Sequence, residues 1–365
     1  MTSEPNRLRN SELAVQARAW MPVLVRYRTS DPARGVVELA ITALPLCGLW
    51  AVAWLAYRHG AWWATFLLAI PAAGFFVRLF VILHDCGHGS FFPNRIVNDW
   101  VGRAIGILMI TPYDFWRRTH AIHHSNSGNL DRRGVGDVDT LTVNEFVGLS
   151  RWGRLKYRLY RSAFIQFGLG PGFIFLVYQR VPVGFLRSGW GPWISTQATN
   201  GAIAAIVILF VGLIGFKAVL AIYLPTMLIA TSIGGWLFFV QHQFKDTYWS
   251  EGEGWGFHKA ALHGSSHYDL PLLLRWFTAN IGVHHVHHLC SMIPSYNLAR
   301  VLREHPELAR IGRITLRESL RCVPLALWDD ELRRLVSFKC AARNADAHCH
   351  VSIDPSGNQR IAISA

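Results

Sequence analysis

Four long stretches without a single charged side chain limit what this chain can fold into: residues 39–57, 61–77, 193–216 and 218–240. About 20 apolar residues cross a bilayer as a helix, and soluble cores rarely keep helices this long free of charge. The expected fold is therefore an all-α integral membrane protein with four transmembrane helices, at about 36–57, 61–83, 193–216 and 218–240. The connectors 58–60 and 217 allow only tight turns, so the spans pair into two hairpins. That leaves the polar stretches 1–35, 84–192 and 241–365 on one side of the membrane. They hold nearly all the Arg and Lys of a chain with net charge +13, whereas the connectors hold only Arg58 and Lys217. The positive-inside rule makes their side the cytosol, with both termini there. No basic run is interleaved with stacking aromatics, so the charge points to lipid head groups and not to nucleic acid.

The remaining apolar run, 162–179, is broken at its centre by Gly168, Gly170, Pro171 and Gly172 and is expected to lie in the interface. The polar, mixed-charge residues 1–35 do not read as a cleaved leader and form a cytosolic N-terminal segment. The membrane domain covers 36–338, and 339–365, with Cys340 and Cys349, reads as a disordered tail. The six cysteines lack paired spacing and are expected as reduced thiols.

Histidines cluster at three places: "HDCGH" at 84–88, "HAIHH" at 120–124 and "HHVHH" at 284–288. The last two share H-x-x-H-H, which selects His284, His287 and His288. On a helix, positions i, i+3 and i+4 fall within an arc of roughly 100°, so three imidazoles converge. His285 points roughly 100° away from His284 and drops out as a bystander. The first cluster supplies His84 and His88, the second His120, His123 and His124. His242, in "VQHQF", ends its apolar run at the depth where His84 ends its own. Each run measured to its histidine spans roughly 35 Å, just beyond the roughly 30 Å hydrocarbon core.

Nine imidazoles exceed what one ion takes, so two metals are expected, held in a helical cap on the cytosolic side. No C-x-x-C favours structural zinc, and imidazole suits iron, copper, nickel and zinc alike. Two candidate catalytic residues flank the ligands. Asp85 could orient an imidazole by accepting its other N–H, and Asn280, four residues before His284, could act through water or support a ligand from behind. Arg78, about two turns before His84, sits at membrane depth, where it is either functional or snorkelling.

This constellation resembles the membrane fatty acid desaturase family. The resemblance rests on the three clusters and on the text around them: "LFVILHDCGHGSFF" at 79–92, "HHSNSGNLDRRGVGDVDT" at 123–140, "FFVQHQF" at 238–244 and "ANIGVHHVHHL" at 279–289. It covers roughly 36–300 and is greatest for the acyl-lipid branch with delta-12 and omega-3 type enzymes. The resemblance implies a di-iron centre of two iron ions, O2 as oxidant and a fatty acyl lipid as substrate, with desaturation of delta-12/omega-6 type. It also implies ligand roles for the eight cluster histidines and puts His242 where the family has its extra histidine. Removing hydrogen from an unactivated methylene needs an oxidant stronger than any side chain, which a metal centre working with O2 supplies.

Two electrons must come from outside. No haem-binding His-Pro-Gly-Gly is present, and "GVGDVD" at 134–139 and "GLGPGF" at 168–173 complete no dinucleotide fingerprint. A separate donor such as ferredoxin is expected, and the basic face would suit an acidic carrier. The same chemistry can rebound oxygen onto carbon, so a di-iron hydroxylase is the second enzyme reading. A metal transporter is the non-enzyme reading, against which stands the position of the histidines beyond the spans and not at the midplane. "GSSHYDLP" at 264–271, with His267 and Asp269, either shapes the substrate channel or forms a turn. Double-bond position depends on side chains scattered along a tunnel, and no motif encodes it.

Overall fold

The computed structural model describes residues 4–342 and two short strands at 351–353 and 359–361, with side chains described from 12 to 342. Apart from those strands, the predicted disordered tail beyond Ala342, with Cys349, lies outside the described residues. Residues 339–342, expected in that tail, are helical with Phe338, and Ala341 packs into a small core with Phe146, Tyr157 and Val336.

The predicted N-terminal segment begins with α1 (Glu4–Leu24), whose Ala17 and Leu24 are fully buried in a core that also holds Ala261, Leu262, Val286 and Leu289. Two long helices follow, α2 (Pro32–Arg58) and α3 (Trp62–His88). Asp31 starts α2 by accepting from Ala33 N at 2.8 Å and Arg34 N at 3.2 Å, with Pro32 at the first helical position. Gly89, at φ +74°, ends α3 in the left-handed conformation that costs glycine little. The helix runs five residues past the expected end at 83, so the first histidine pair rides on the spanning helix itself.

Next come α4 (Arg95–Leu108) and α5 (Tyr113–Asn126), then α6 (Val143–Gly148) and α7 (Arg151–Tyr160). The broken run at 162–179 is helical from 163 to 176. A π-helical turn, Phe164–Leu169, leads into α8 (Gly170–Leu176), and 164–180 bends by 51° from α7. The other long pair is α9 (Trp190–Ile214) and α10 (Phe216–His242). With α2 and α3 these make four helices long and apolar enough to cross a membrane. Short helices complete the described chain: α11 (Phe257–His263), α12 (Leu272–Phe277), α13 (His284–Leu289), α14 (Ser295–Glu304) and α15 (Leu316–Ser319).

The protein is mostly helical, but the all-α expectation needs correction. In chain order the strands are β1 (Leu141–Thr142), β2 (His267–Asp269), β3 (Arg313–Thr315), β4 (Leu325–Asp329), β5 (Arg334–Ser337), β6 (Val351–Ile353) and β7 (Gln359–Ile361). β4 pairs parallel to β1, with Leu141 opposite Leu327, and antiparallel to β5. β2 and β3 pair in parallel, Tyr268 opposite Ile314. Strands of two to five residues carry no periodicity a reader could use, and the partners in β1–β4 and β2–β3 lie far apart in sequence.

Inside the membrane segments, α2 and α3 share a buried ion pair. The Arg78 guanidinium bonds Glu38, donates to Thr42 Oγ1 at 3.1 Å and to the carbonyl of Trp276, and lies 4.2 Å over the Trp276 ring. Arg78 is therefore a buried anchor between α2, α3 and α12 and does not snorkel.

Candidate metal centre

Each histidine cluster occupies a helix. His84 and His88 lie one turn apart at the end of α3, and His242 is the last residue of α10. His120, His123 and His124 close α5, and α13 is little more than its own cluster, His284 to Leu289. The i, i+3, i+4 spacing aims three rings from one helix inward.

The nine rings divide into two groups. His84, His88, His120, His124 and His287 form one; His123, His242, His284 and His288 form the other, with the donor atoms of each group within 4.8 Å of one another. Helices α5 and α13 therefore serve both groups. The groups abut where His124 and His288 stack at 4.0 Å.

Nitrogen spacing tests whether a cation fits. In the first group His88 and His120 Nε2 atoms are 3.1 Å apart, His120 and His124 3.0 Å, and His124 and His287 3.2 Å. In the second, His242 and His284 Nε2 atoms are 3.0 Å apart. Neighbouring nitrogens on an octahedron of about 2.1 Å metal–nitrogen bonds stand about 3.0 Å apart. Nε2 of His84, His123 and His288 is buried without a hydrogen-bond partner, and such groups are rare unless something takes their lone pairs. The donor set fits a pair of first-row metal ions.

Two carboxylates stand behind the rings, one to a group. Asp85 Oδ1 lies 3.2 Å from His84 Nδ1, and its Oδ2 accepts from Ser295 N at 2.6 Å, tying α3 to the start of α14. Asp137 Oδ1 lies 2.5 Å from His123 Nδ1. A carboxylate on Nδ1 keeps the proton there and leaves Nε2 as the donor. His242 is held likewise, its Nδ1 3.2 Å from Gly264 O, and Trp116 stacks on His120 at 4.7 Å. Burial, followed by the neighbouring imidazoles, holds His120, His124, His284, His287 and His288 well below the ordinary histidine range. They are neutral, as ligands must be.

Asp137 was missed in the sequence although it lies within the quoted "GVGDVD". Gly136, at φ +73°, turns the loop against α5, where a Cβ would stand 3.1 Å from His123 Cβ. The glycines rejected as a nucleotide fingerprint thus serve to deliver this carboxylate.

His285 joins neither group, yet it is no loose bystander. Fully buried, it bonds Leu308 O through Nε2 at 2.9 Å, and burial beside His267 pushes its pKa down to about 3. Asn280 is not brought to the histidines. It takes left-handed backbone at φ +61° in the turn before α13 and lines a groove with His267 and Asp269. His267 and Asp269 form β2, where Asp269 accepts from Arg275 at 2.8 Å and Arg313 at 2.7 Å. Cys86 and Cys290 ligate nothing; Cys290 Sγ accepts from Arg28 Nε at 3.1 Å. The five cysteines among the described residues are free.

The family model for fatty acid desaturases matches residues 60–319, from the start of α3 to the end of α15 and across all nine histidines. The chain belongs to the fatty acid desaturase family. It is thereby an oxidoreductase of lipid metabolism. A fatty acid desaturase of Bacillus subtilis (strain 168) is 41% identical over 325 residues, 89% of this chain and 90% of that one. The sn-1 oleoyl-lipid 12-desaturase of Anabaena variabilis is 30% identical over 244 residues, 60% of this chain and 62% of that one. The sn-1 acyl-lipid omega-3 desaturase (ferredoxin) of Synechocystis sp. (strain ATCC 27184 / PCC 6803 / Kazusa) is 28% identical over 238 residues, 62% of each.

Proposed function

We propose that this chain is an O2-dependent di-iron desaturase that introduces a double bond into an acyl chain carried on a glycerolipid, with delta-12/omega-6 type regioselectivity. The observation that carries the reading is the division of nine imidazoles into two adjoining donor sets at the ends of spanning helices. Iron, when bound, supplies the oxidising power that lets O2 and two external electrons remove two hydrogens from unactivated methylenes. One ion would be held by His84, His88, His120, His124 and His287, the other by His123, His242, His284 and His288.

The chain's own residues do the rest. Asp85 and Asp137 orient one ring in each set. Trp116 against His120, and Phe238 at 5.2 Å from His123, put aromatic surface beside both sets, which excludes water and suits an acyl chain. In this reading α2–α3 and α9–α10 are two hairpins, and the cap and both termini face the cytosol. Because α3 and α10 carry ligands on their ends, an acyl tail reaches the site from the bilayer beneath it. Relatives named as sn-1 oleoyl-lipid 12-desaturases support the lipid carrier and the position, and those whose names include ferredoxin support that donor.

The test is the fatty-acid profile of a host expressing the protein with a ferredoxin and its reductase. A new double bond, located by fragmentation of a derivative, supports the reading, and a new hydroxy acid moves it to a hydroxylase. Purified protein should carry about two irons per chain; stoichiometric zinc without iron would sink the oxidative chemistry.

A further inference from the structure

A groove of about 350 Å³ opens on the side of the cap between α12, α14 and β3, away from the metal centre. We propose that it binds the phosphate of a membrane glycerophospholipid. Four cations line it, Arg275, Arg303, Arg310 and Arg313, against one carboxylate, Asp269. Arg275 and Arg313 share that carboxylate, while Arg303 and Arg310 form no ion pair among the described residues. The groove therefore presents two uncompensated guanidinium groups beside two others already held in place, a setting for planar, bidentate capture of phosphate oxygens.

Its height relative to the bilayer follows from α12. Trp276 and Phe277 pack edge-on against Phe75 of α3, at 5.7 and 5.2 Å. Phe75 precedes His84 by nine residues, about 13 Å along the helix, so α12 lies below the level of the histidines. Leu272 and Leu273, on its outer face, are 81% and 67% exposed. An exposed leucine pair at this depth meets acyl chains, with Arg275 next to it at the boundary where head groups lie. The volume is at the lower end of small-ligand cavities and suits a head group better than the surface of a protein carrier.

The groove's inner wall reaches the catalytic cap. His267 bonds Ala309 O through Nδ1 at 2.7 Å, and its ring lies 5.8 Å from that of His285 on α13. A head group held here stands one layer of side chains behind the helix that carries His284, His287 and His288. Its role as a substrate anchor rests on the lipid-linked reading above; its ability to bind does not.

The full-length protein in detergent is titrated with monomeric dihexanoyl phosphatidylglycerol and with a dihexanoyl galactosylglycerol that lacks phosphate. The phospholipid should bind at least tenfold tighter, and R303E/R310E should remove that difference, as should R303Q/R310Q, with metal content and Tm confirming the fold. Equal binding by the variants overturns the site. So does inorganic phosphate competing as tightly as the lipid, which would make it a free-anion site. A variant that loses a ferredoxin but keeps the lipid assigns the groove to the electron carrier and also overturns it. Product analysis is separate: desaturation of acyl-CoA alone would sink the lipid-linked reading while the binding result stood.

Discussion

Replacing Asp137 by Asn should loosen one metal and leave the other in place. The two side chains involved are nearly sealed from solvent, 1% exposed for His123 and 7% for Asp137, and they meet at 2.5 Å. A hydrogen bond to a buried charged group contributes about 1.5–3 kcal/mol, and loss of a carboxylate behind a ligating imidazole costs about 10–100-fold in metal affinity. These agree, since each tenfold is about 1.4 kcal/mol. His123 belongs to the four-histidine set, and the five-histidine set has its own carboxylate in Asp85. Loaded D137N protein dialysed against graded chelator should release one metal equivalent at a chelator level 10–100-fold below wild type and the second at the wild-type level. Simultaneous release of both, or an unchanged curve, would refute the division of labour between the two carboxylates. Asp85 is the poorer test, because its other oxygen holds Ser295 N and its loss also frees α14.

Three further outcomes follow from the same geometry. His285→Ala should keep two metals and most of the activity per folded molecule, but losing its bond to Leu308 O, which still accepts from Ile311 N at 3.2 Å, costs about 0.5–1.5 kcal/mol, read as a lower Tm and yield. Arg78→Met should destabilise by about 1.5–3 kcal/mol, because Glu38 loses its buried partner and keeps only the half-exposed Arg34 at 2.6 Å, and adding Glu38→Gln should restore part of the thermal stability in detergent. The cap histidines are depressed in the fold and ordinary when unfolded, so below about pH 6.5 the unfolded state binds more protons. Metal-free protein should thus lose stability as pH falls from 7 to 5.5, by up to about 1.4 kcal/mol per unit for each such histidine, and a flat profile of Tm against pH would contradict their burial.

What could be read from the residues was whatever repeats locally. The spans stand out because hydropathy sums over 20 neighbours, and the histidine sets because ligands on one helix must recur at three and four residues. His242 needed a comparison of two helix lengths and was still within reach. Asp137 was not, since its reach to His123 depends on a turn that Gly136 alone can make. Nor was the Glu38–Arg78 pair visible: Arg78 read as either functional or snorkelling, and its partner lies forty positions earlier on another helix. His285 shows the limit of helical-wheel reasoning, which set it apart from the converging rings, as the two donor groups also do, but had no view of Leu308 behind it. The burial of α1 depends on contacts with segments more than 200 residues away, and β1 and β4 pair although about half of the chain lies between them.

The two donor sets also differ in when their parts leave the ribosome. Four of the five histidines of one set lie before residue 125, and only His287 comes late. The other set has a single member, His123, until His242 arrives, and needs His284 and His288 to be complete. A nascent chain with its first two helices inserted already carries a near-complete nest of imidazoles, whereas the second nest waits for almost the whole protein. After α5 the chain thus lacks one histidine of the first set and three of the second.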